Sequence, residues 1–212
     1  IFWQLPAGVR LYQTFAVSGE EIEWDIEFFN RSRHAVNILD MCLTVPIGAI
    51  DESVQACQNL NRHFSLNGNS SFLYWIPYTG QGDILLMSMK KGTAMEYATW
   101  DGKYYLHATN VVDRANDTWR IPSTSKTVAP YQRYLTGFNF TVAKDHTDLR
   151  GKLYDKGNVL VKVAPGMVVT PEMEVYCALQ TQLPVEQLTV EHPGQIKVTN
   201  IGKTKDNKYI YK

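Results

Sequence analysis

The sequence predicts an all-β fold, a large antiparallel β-sandwich with one or two short helices. Three observations predict it. The segment Glu21–Phe28 alternates apolar and acidic residues without a miss, as a strand with one buried and one solvated face does. Short strand-like segments separated by turn residues recur along the whole chain. Hydrophobic residues make up 44% of the 212 positions, which is enough to bury a substantial core.

The first half of the chain reads mostly as strands. Segment 10–17 is also extended, and Ser18-Gly19 joins it to Glu21–Phe28 in an opening hairpin. Segment 35–47 is rich in Val, Ile and Leu and predicts a more central strand. Between 51 and 64, apolar residues recur at helical spacing, which favours a short helix or a crossing loop. Further strands are predicted at 72–76, 83–89, 94–100 and 103–109.

The rest of the chain adds a hairpin turn, a long loop, one helix and further strands. Asp101-Gly102 lies between two strand-like segments and predicts a tight hairpin, because both central residues of such a turn need positive φ. Segment 115–130 is polar and predicts a long loop. Segment 145–157 places Leu149 and Leu153 four residues apart and ends at a glycine, which is typical of a short helix. Further strands are predicted at 134–142, 158–163, 173–180, 185–192, 195–200 and 207–211.

Charge and cysteine content exclude several function classes. The chain has 21 basic and 21 acidic residues, so nucleic acid is not a predicted partner. No apolar run approaches the roughly 20 residues that cross a bilayer, so no membrane is predicted either. Cys42, Cys57 and Cys177 show no Cys-x-x-Cys spacing, which predicts no metal, no cofactor and at most one bridge, from Cys42 to Cys57.

The ends of the chain and its Asn-x-Ser/Thr triplets indicate where the protein belongs. Because the first residue is Ile1 and segment 207–211 reads as a final strand, we expect a single domain over 1–212 of a longer multidomain protein. The chain has four such triplets, whereas its composition would give about one or two by chance. We therefore predict a secreted or extracellular location, periplasmic or at the cell surface in a bacterium. The alternative, that the triplets are a coincidence in a polar β protein, stays open. The candidate N-glycosylation sites are Asn30, Asn69, Asn116 and Asn139.

No residue pattern selects a catalytic centre. A glycosidase needs two carboxylates that face each other across the cleaved bond. The acidic residues of Glu21–Phe28 instead alternate on the wet face of a strand, where solvation and edge protection explain them. Asp40, Glu96 and Asp101 have no spacing that selects a pair, and no serine lies in a Gly-x-Ser-x-Gly elbow. The sequence therefore predicts no catalytic residue.

Four residues are candidates for carbohydrate binding. His63 precedes a Gly/Asn-rich turn, where its imidazole could bond a sugar hydroxyl. Tyr78 and Trp100 lie beside turns, and Trp75 belongs to the same group of aromatic residues in the middle third of the chain. Sugar rings stack on exposed aromatic faces because their C–H surface is apolar. For each residue the alternative stays open: a histidine held by local backbone groups, or an aromatic ring packed in the core.

Two segments resemble the N-terminal β-sandwich of a family of large secreted proteins of unknown function. They are Asn61–Trp75, with the sequence NRHFSLNGNSSFLYW, and Val163–Pro171, with VAPGMVVTP. In that family the sandwich resembles the galactose-mutarotase-like supersandwich and precedes a six-hairpin α/α toroid of glycosidase type. The resemblance implies that this chain packs against a catalytic α/α-toroid domain of the same polypeptide. No motif matches the mutarotase His and Glu set, so no catalytic residue is carried over.

Three functional interpretations follow. In the first, the chain is a non-catalytic β-sandwich domain of a secreted, glycoside hydrolase-like, carbohydrate-active enzyme. In the second, it is an autonomous lectin-like module that binds a poly- or oligosaccharide through Trp75, Tyr78 or Trp100. In the third, it is a mutarotase-like epimerase that acts through His63, His107 and Glu96.

Overall fold

A computed structural model describes residues 1–45, 61–66, 68, 70–77, 81–90, 92–95, 97–100, 104–109, 125–166, 168–192 and 194–212. At 45, 61–64, 97–100 and 104–109 the description covers the backbone. The fold is all-β, as the sequence predicts, with antiparallel strands and one short helix in the described ranges. The chain divides into two compact units, unit 1 over Ile1–Asp145 and unit 2 over His146–Lys212. The single domain expected over 1–212 stays a prediction.

Unit 1 contains twelve strands in its described residues, numbered in chain order. They are β1 Phe2–Gln4, β2 Val9–Ser18, β3 Glu21–Asn30, β4 Val36–Ile38, β5 Met41–Val45, β6 Asn61–Ser65, β7 Phe72–Ile76, β8 Ile84–Met89, β9 Tyr97–Trp100, β10 Tyr104–Thr109, β11 Lys126–Val128 and β12 Arg133–Ala143. Seven form one sheet in the order β1-β2-β3-β12-β8-β7-β6. The other two sheets have the orders β5-β10-β9 and β11-β4.

The core of unit 1 lies on one face of the seven-stranded sheet. The alternation in β3 places Ile26 and Phe28 on that face, and Phe138 on β12 is directly opposite Trp24. Buried Met41 on β5 joins the same cluster, so one of the smaller sheets contributes the second layer. The buried residues of this core cluster are Val9, Ile26, Phe28, Met41, Leu73, Trp75, Met87, Met95 and Phe138.

Three of the predicted elements in unit 1 are corrected. The strand expected over 35–47 is two strands, β4 and β5, which belong to different sheets. The helix or loop expected over 51–64 ends in a strand, since β6 begins at Asn61 and pairs with β7, while 51–60 lies outside the described residues. The loop expected over 115–130 contains β11, which pairs with β4. In each case the strand is defined by a distant partner that local sequence does not identify.

Unit 2 consists of one helix and a four-stranded sheet over its described residues. The elements are α1 His146–Asp155, β13 Leu160–Ala164, β14 Tyr176–Gln180, β15 Asn200–Lys203 and β16 Lys208–Tyr211, and the sheet order is β13-β14-β16-β15. The predicted helix is confirmed. Leu149 and Leu153 are its buried residues, and Gly157, at φ +83°, follows its end. Asn158 N–H then donates to Leu153 O at 3.0 Å, as at many helix C-termini.

The strands predicted at 185–192 and 195–200 are wrong, apart from Asn200, which opens β15. Segment 181–192 is irregular. β14 already pairs with β13 on one side and β16 on the other, so the chain that follows it finds no free edge there. Among the described residues, no helix has the length and apolar character needed to cross a bilayer.

Candidate functional site

Trp75, one of the four candidate carbohydrate-binding residues, is a core residue. It is 8% exposed and shares the core-facing side of β7 with Leu73, two residues away. Both belong to the buried cluster of unit 1. Its ring is therefore covered by protein and is not available to stack on a sugar, which corrects the prediction at this position.

The other three candidates are not located as side chains. The backbone of His63 lies on β6 and that of Trp100 at the end of β9. Their side chains, and the whole of Tyr78, lie outside the described residues. The same holds for Glu96 and for the side chain of His107, two residues that the epimerase interpretation needs. Their roles stay predictions.

The first Asn-x-Ser/Thr triplet serves the fold. Asn30 is 0% exposed, and its Nδ2 donates to His34 O at 2.7 Å and Val128 O at 2.9 Å. Its Oδ1 accepts from Ser32 N at 2.9 Å. Because Nδ2 is the atom that would carry a glycan, glycosylation of Asn30 is incompatible with this fold, which corrects that prediction.

The other triplets are less informative. Asn139 lies within β12, between β3 and β8, and its Oδ1 is buried without a hydrogen-bond partner in the described part of the chain. Asn69 and Asn116 lie outside the described residues. The secreted or extracellular location stays a prediction, and it now rests on these three triplets.

Three acidic residues of β3 are paired with cations. Lys90, directly after β8, places its Nζ 2.7 Å from Glu23 Oε2 and 2.7 Å from Asp25 Oδ1. Arg133 on β12 pairs with Glu27. Burial acts to lower the pKa of Lys90, but hydrogen bonds to Asp25 and Glu23 outweigh it and raise the pKa above its ordinary value. These carboxylates are paired within the fold. Edge protection, which the sequence suggested for them, does not apply because β3 lies between β2 and β12.

Gly137 makes the Lys90 network possible. It lies opposite Asp25 in the register of β12 and β3. A Cβ at this position would lie 2.6 Å from Asp25 Oδ1 and 2.9 Å from Lys90 Cδ. The N–H of Gly137 donates to Thr93 Oγ1 at 2.7 Å, and its carbonyl accepts from Lys90 N at 3.0 Å. The missing side chain therefore leaves the space that the Lys90 stem occupies.

A cavity lies in unit 2, beside one face of its sheet. It has a volume of about 590 Å³ and is lined from the sheet by Lys162, Ala178, Gln180 and Lys208. The register explains this grouping, because Lys162 is directly opposite Ala178 and Gln180 is directly opposite Lys208. Directly opposed residues share a face, as do residues two apart on one strand. All four therefore project from the same face.

Helix α1 forms the other side of this region. Arg150 lines the main cavity, and an adjoining cavity of about 350 Å³ is lined by Thr147, Arg150, Gly151 and Tyr154 together with two of the sheet residues. These helix positions have the spacing i, i+3, i+4, i+7, which places them on one helix face. Asn207 Nδ2 donates to Tyr154 Oη at 3.0 Å, which orients the phenol.

The lining of the two cavities carries positive charge only. Lys208 pairs with Asp206, and the hydrogen bonds from Lys208 and Thr204 lower the pKa of Asp206 to about 2, so this carboxyl is ionised at neutral pH. Arg150 and Lys162 make no ion pair with any described residue. An anion entering the cavity meets two unpaired cations and a third shared with one carboxylate.

Sequence analysis missed this cavity. The spacing of Thr147, Arg150, Gly151 and Tyr154 was a usable signal, since it defines a helix face separate from the buried leucines. The sheet residues gave none, because their grouping depends on the register of strands distant in sequence.

Among the residues that the structure describes, nothing supports metal or disulfide chemistry. Within the described ranges, no group of three or more His, Cys, Asp or Glu side chains could hold a metal ion. Cys42 and Cys177 are free thiols. The structure therefore contains no bridge from Cys42 to Cys57, a residue outside the described ranges.

Comparisons with known proteins give a fold and no family. No family model matches the chain, and no curated protein matches it. A solved structure of a polysaccharide lyase is similar over 99% of this chain and 30% of its own, with 15% identity and a TM-score of 0.67. An alpha-galactosidase from Lactobacillus brevis is similar over 73% of this chain and 24% of its own, with 11% identity and a TM-score of 0.37. At 15% identity the similarity to the lyase shows the fold alone, and this chain spans less than a third of the length of the lyase.

Proposed function

We propose that this chain is a non-catalytic β-sandwich domain of a carbohydrate-active enzyme. The observation that carries the proposal is the fold similarity to a polysaccharide lyase, which covers nearly all of this chain and 30% of the lyase. Such coverage supports the role of one domain within a larger enzyme. Fold similarity alone does not transfer an activity, so the proposal also depends on the chemistry of the described residues.

The pairing of the acidic residues supports a non-catalytic role. A glycosidase or lyase centre needs groups free to accept or donate a proton at the substrate. Glu23 and Asp25 share Lys90, and Glu27 pairs with Arg133. These ion pairs hold the carboxylates to neighbouring strands and use their charge for the fold.

An exposed apolar surface supports a packing partner. On the core-facing side of the seven-stranded sheet, apolar side chains continue beyond the core. Val17 is opposite Ile22, and Leu85 is opposite Val142. These residues and Phe15 are between 40% and 81% exposed, which is unusual for neighbouring apolar side chains in a free monomer. We propose that the catalytic α/α-toroid domain of the same polypeptide covers them.

The activity of the chain on its own tests the proposal. The 212-residue chain is incubated with a panel of neutral and acidic polysaccharides, and both new reducing ends and unsaturated sugar products are measured. We expect neither product, whereas the polypeptide with its flanking gene sequence cleaves at least one substrate. Cleavage by the 212-residue chain alone would overturn the non-catalytic role.

A matched pair of substitutions tests the packing surface in the full polypeptide. Val17→Lys places a charge on the apolar surface, and Leu135→Lys places the same charge on the opposite face, beside Glu27. We expect Val17→Lys alone to lower the thermal transition of the full polypeptide and to speed proteolysis between domains. Equal behaviour of the two variants would contradict the proposed surface.

A second candidate function is an autonomous carbohydrate-binding module. The cationic cavity of unit 2 favours it, although not through the aromatic residues that the sequence selected. The two functions are compatible, because a domain without catalytic residues can still hold part of a polysaccharide substrate.

A further inference from the structure

We propose that the cavity of unit 2, between α1 and the face of the four-stranded sheet, binds the carboxylate or sulfate group of an acidic saccharide. The inference rests on the proposed function for the saccharide nature of the ligand. The acidic character of the ligand comes from the cavity itself, independently of the comparisons.

The positive charge of the cavity lining is the first argument for an acidic ligand. Arg150 and Lys162 reach the cavity from the helix and from β13, with no ion pair to a described residue, and Lys208 adds a third cation. A guanidinium offers a planar fork of donors that matches a carboxylate or sulfate, and an ammonium adds a point charge. A neutral sugar would leave these charges without partners and would gain nothing from them.

Size and the uncharged lining residues give the second argument. The main cavity of about 590 Å³ falls within the range of about 300 to 1,000 Å³ typical of small-molecule sites. The adjoining cavity shares Arg150, Gln180 and Lys208 with it and adds Tyr154, so the two cavities adjoin along these three residues. An amide and a phenol beside the cations suit a ligand that carries hydroxyls and an apolar ring surface as well as charge.

The shape of the site disfavours nucleic acid. Binding of a phosphate backbone draws on an extended basic surface, but the chain has equal numbers of acidic and basic residues. The cations here are confined to one concave region, and acidic Asp206 lies at Lys208. A compact anionic group on a sugar fits this distribution better than a polyphosphate track.

The experiment measures binding of defined probes to the 212-residue chain by isothermal titration calorimetry. The probes are a galacturonate tetrasaccharide, a heparin tetrasaccharide, neutral maltotetraose and inorganic sulfate. We expect at least one acidic tetrasaccharide to bind, with affinity that falls as salt is added, and no binding of maltotetraose. Sulfate alone should compete at higher concentration.

Substitutions test whether the acidic tetrasaccharide binds in this cavity. Arg150→Gln and Lys162→Gln should each weaken the acidic tetrasaccharide about tenfold or more, as loss of a charged hydrogen bond does. Ala178→Leu fills the cavity without changing charge and should also weaken it. Asp206→Asn releases Lys208 and should strengthen it. Lys203→Gln is the matched control, because Lys203 lies opposite Tyr209 on the other face of the sheet, and it should bind like the unmodified chain.

The outcomes separate this inference from the proposed function. The inference is overturned if no acidic tetrasaccharide binds, if sulfate binds but no saccharide does, or if Arg150→Gln and Lys162→Gln bind unchanged. Equal binding of maltotetraose also overturns it. The proposed function is judged separately by cleavage: it fails if the chain alone breaks down a polysaccharide or if the full polypeptide cleaves none. Thermal unfolding of each variant confirms that the chain still folds.

Discussion

The sheets of the two units use their faces differently. In unit 1, the seven-stranded sheet buries one face under a second layer, with Phe138 and Met87 fully buried on that face. In unit 2, the described residues bury four apolar side chains, Leu149, Leu153, Leu160 and Tyr211. One face of that sheet carries lysines and a cavity. The larger sheet therefore provides stability, whereas the smaller one leaves a face open to a ligand.

The same difference predicts which of the two units unfolds locally more easily. Local unfolding is easiest where few buried apolar contacts hold the backbone hydrogen bonds. We therefore expect unit 2 to exchange its amide hydrogens faster than β3, β8 and β12.

Phe138→Ala should remove the most stability. Phe138 is 0% exposed, and its ring centroid lies 5.5 Å from that of Trp24. Loss of a buried phenylalanine costs about 3–5 kcal/mol. Phe15 contacts the same indole at 5.5 Å but is 54% exposed, so Phe15→Ala should cost less than about 1 kcal/mol. Denaturant unfolding measures both, and equal costs would contradict the position of the core.

Leu153→Ala should destabilise unit 2 in particular. Leu153 is 3% exposed, and a buried Leu→Ala change costs about 2–5 kcal/mol, towards the lower end where neighbours can relax. Leu183→Ala is the matched control because Leu183 is 53% exposed. Hydrogen exchange should show faster opening of β13, β14 and β16, with β3 and β12 unaffected. Equal loss of protection in both units would show that they unfold together.

Two glycine substitutions should change the stability in opposite directions. Gly137→Ala places a Cβ against Asp25 Oδ1 and Trp24 O, and such overpacking costs about 1–3 kcal/mol. Gly151→Ala, within α1, meets no atom within 4 Å and should stabilise unit 2 by about 0.5–1 kcal/mol, from helix propensity alone. Thermal unfolding measures both. Stabilisation by Gly137→Ala would contradict the close approach at β12.

Lys90→Met should lower stability by about 1–2 kcal/mol at neutral pH, because Glu23 and Asp25 lose their shared donor. The pKa of Lys90 is raised in the folded chain above its ordinary value of 10.5. Its contribution is therefore complete below that value and is lost as the pH rises through the folded pKa. The gap between Lys90→Met and the unmodified chain should shrink in strongly alkaline solution. Exposed Lys126→Met should show no such gap, and a gap that widens with pH would contradict the network.

The sequence predicted elements well where one segment carries its own signal. The alternation in Glu21–Phe28 predicted β3, and the leucine pair with Gly157 predicted α1. Prediction was wrong at 35–47 and at 185–199, because sheet membership depends on partners far along the chain. Residues 35–47 divide between two sheets, and 185–192 finds both edges of β14 occupied.

The site was harder to predict than the fold, for the same physical reason. Trp75 met the criterion for a sugar-stacking aromatic, but tertiary packing placed it in the core beside Leu73. The face with Lys162, Gln180 and Lys208 arises from the register of three strands. No local pattern marks such a face. The sequence therefore selected aromatic residues as binding candidates, whereas the structure shows a cavity lined by cations.

The contrast between the two units can be measured by hydrogen exchange of the 212-residue chain, with and without saturating amounts of the acidic tetrasaccharide that binds it. We expect new protection in α1, β13, β14 and β16, with β3, β8 and β12 unchanged because the large sheet serves as support. Protection that appears on the seven-stranded sheet and not around α1 would contradict it.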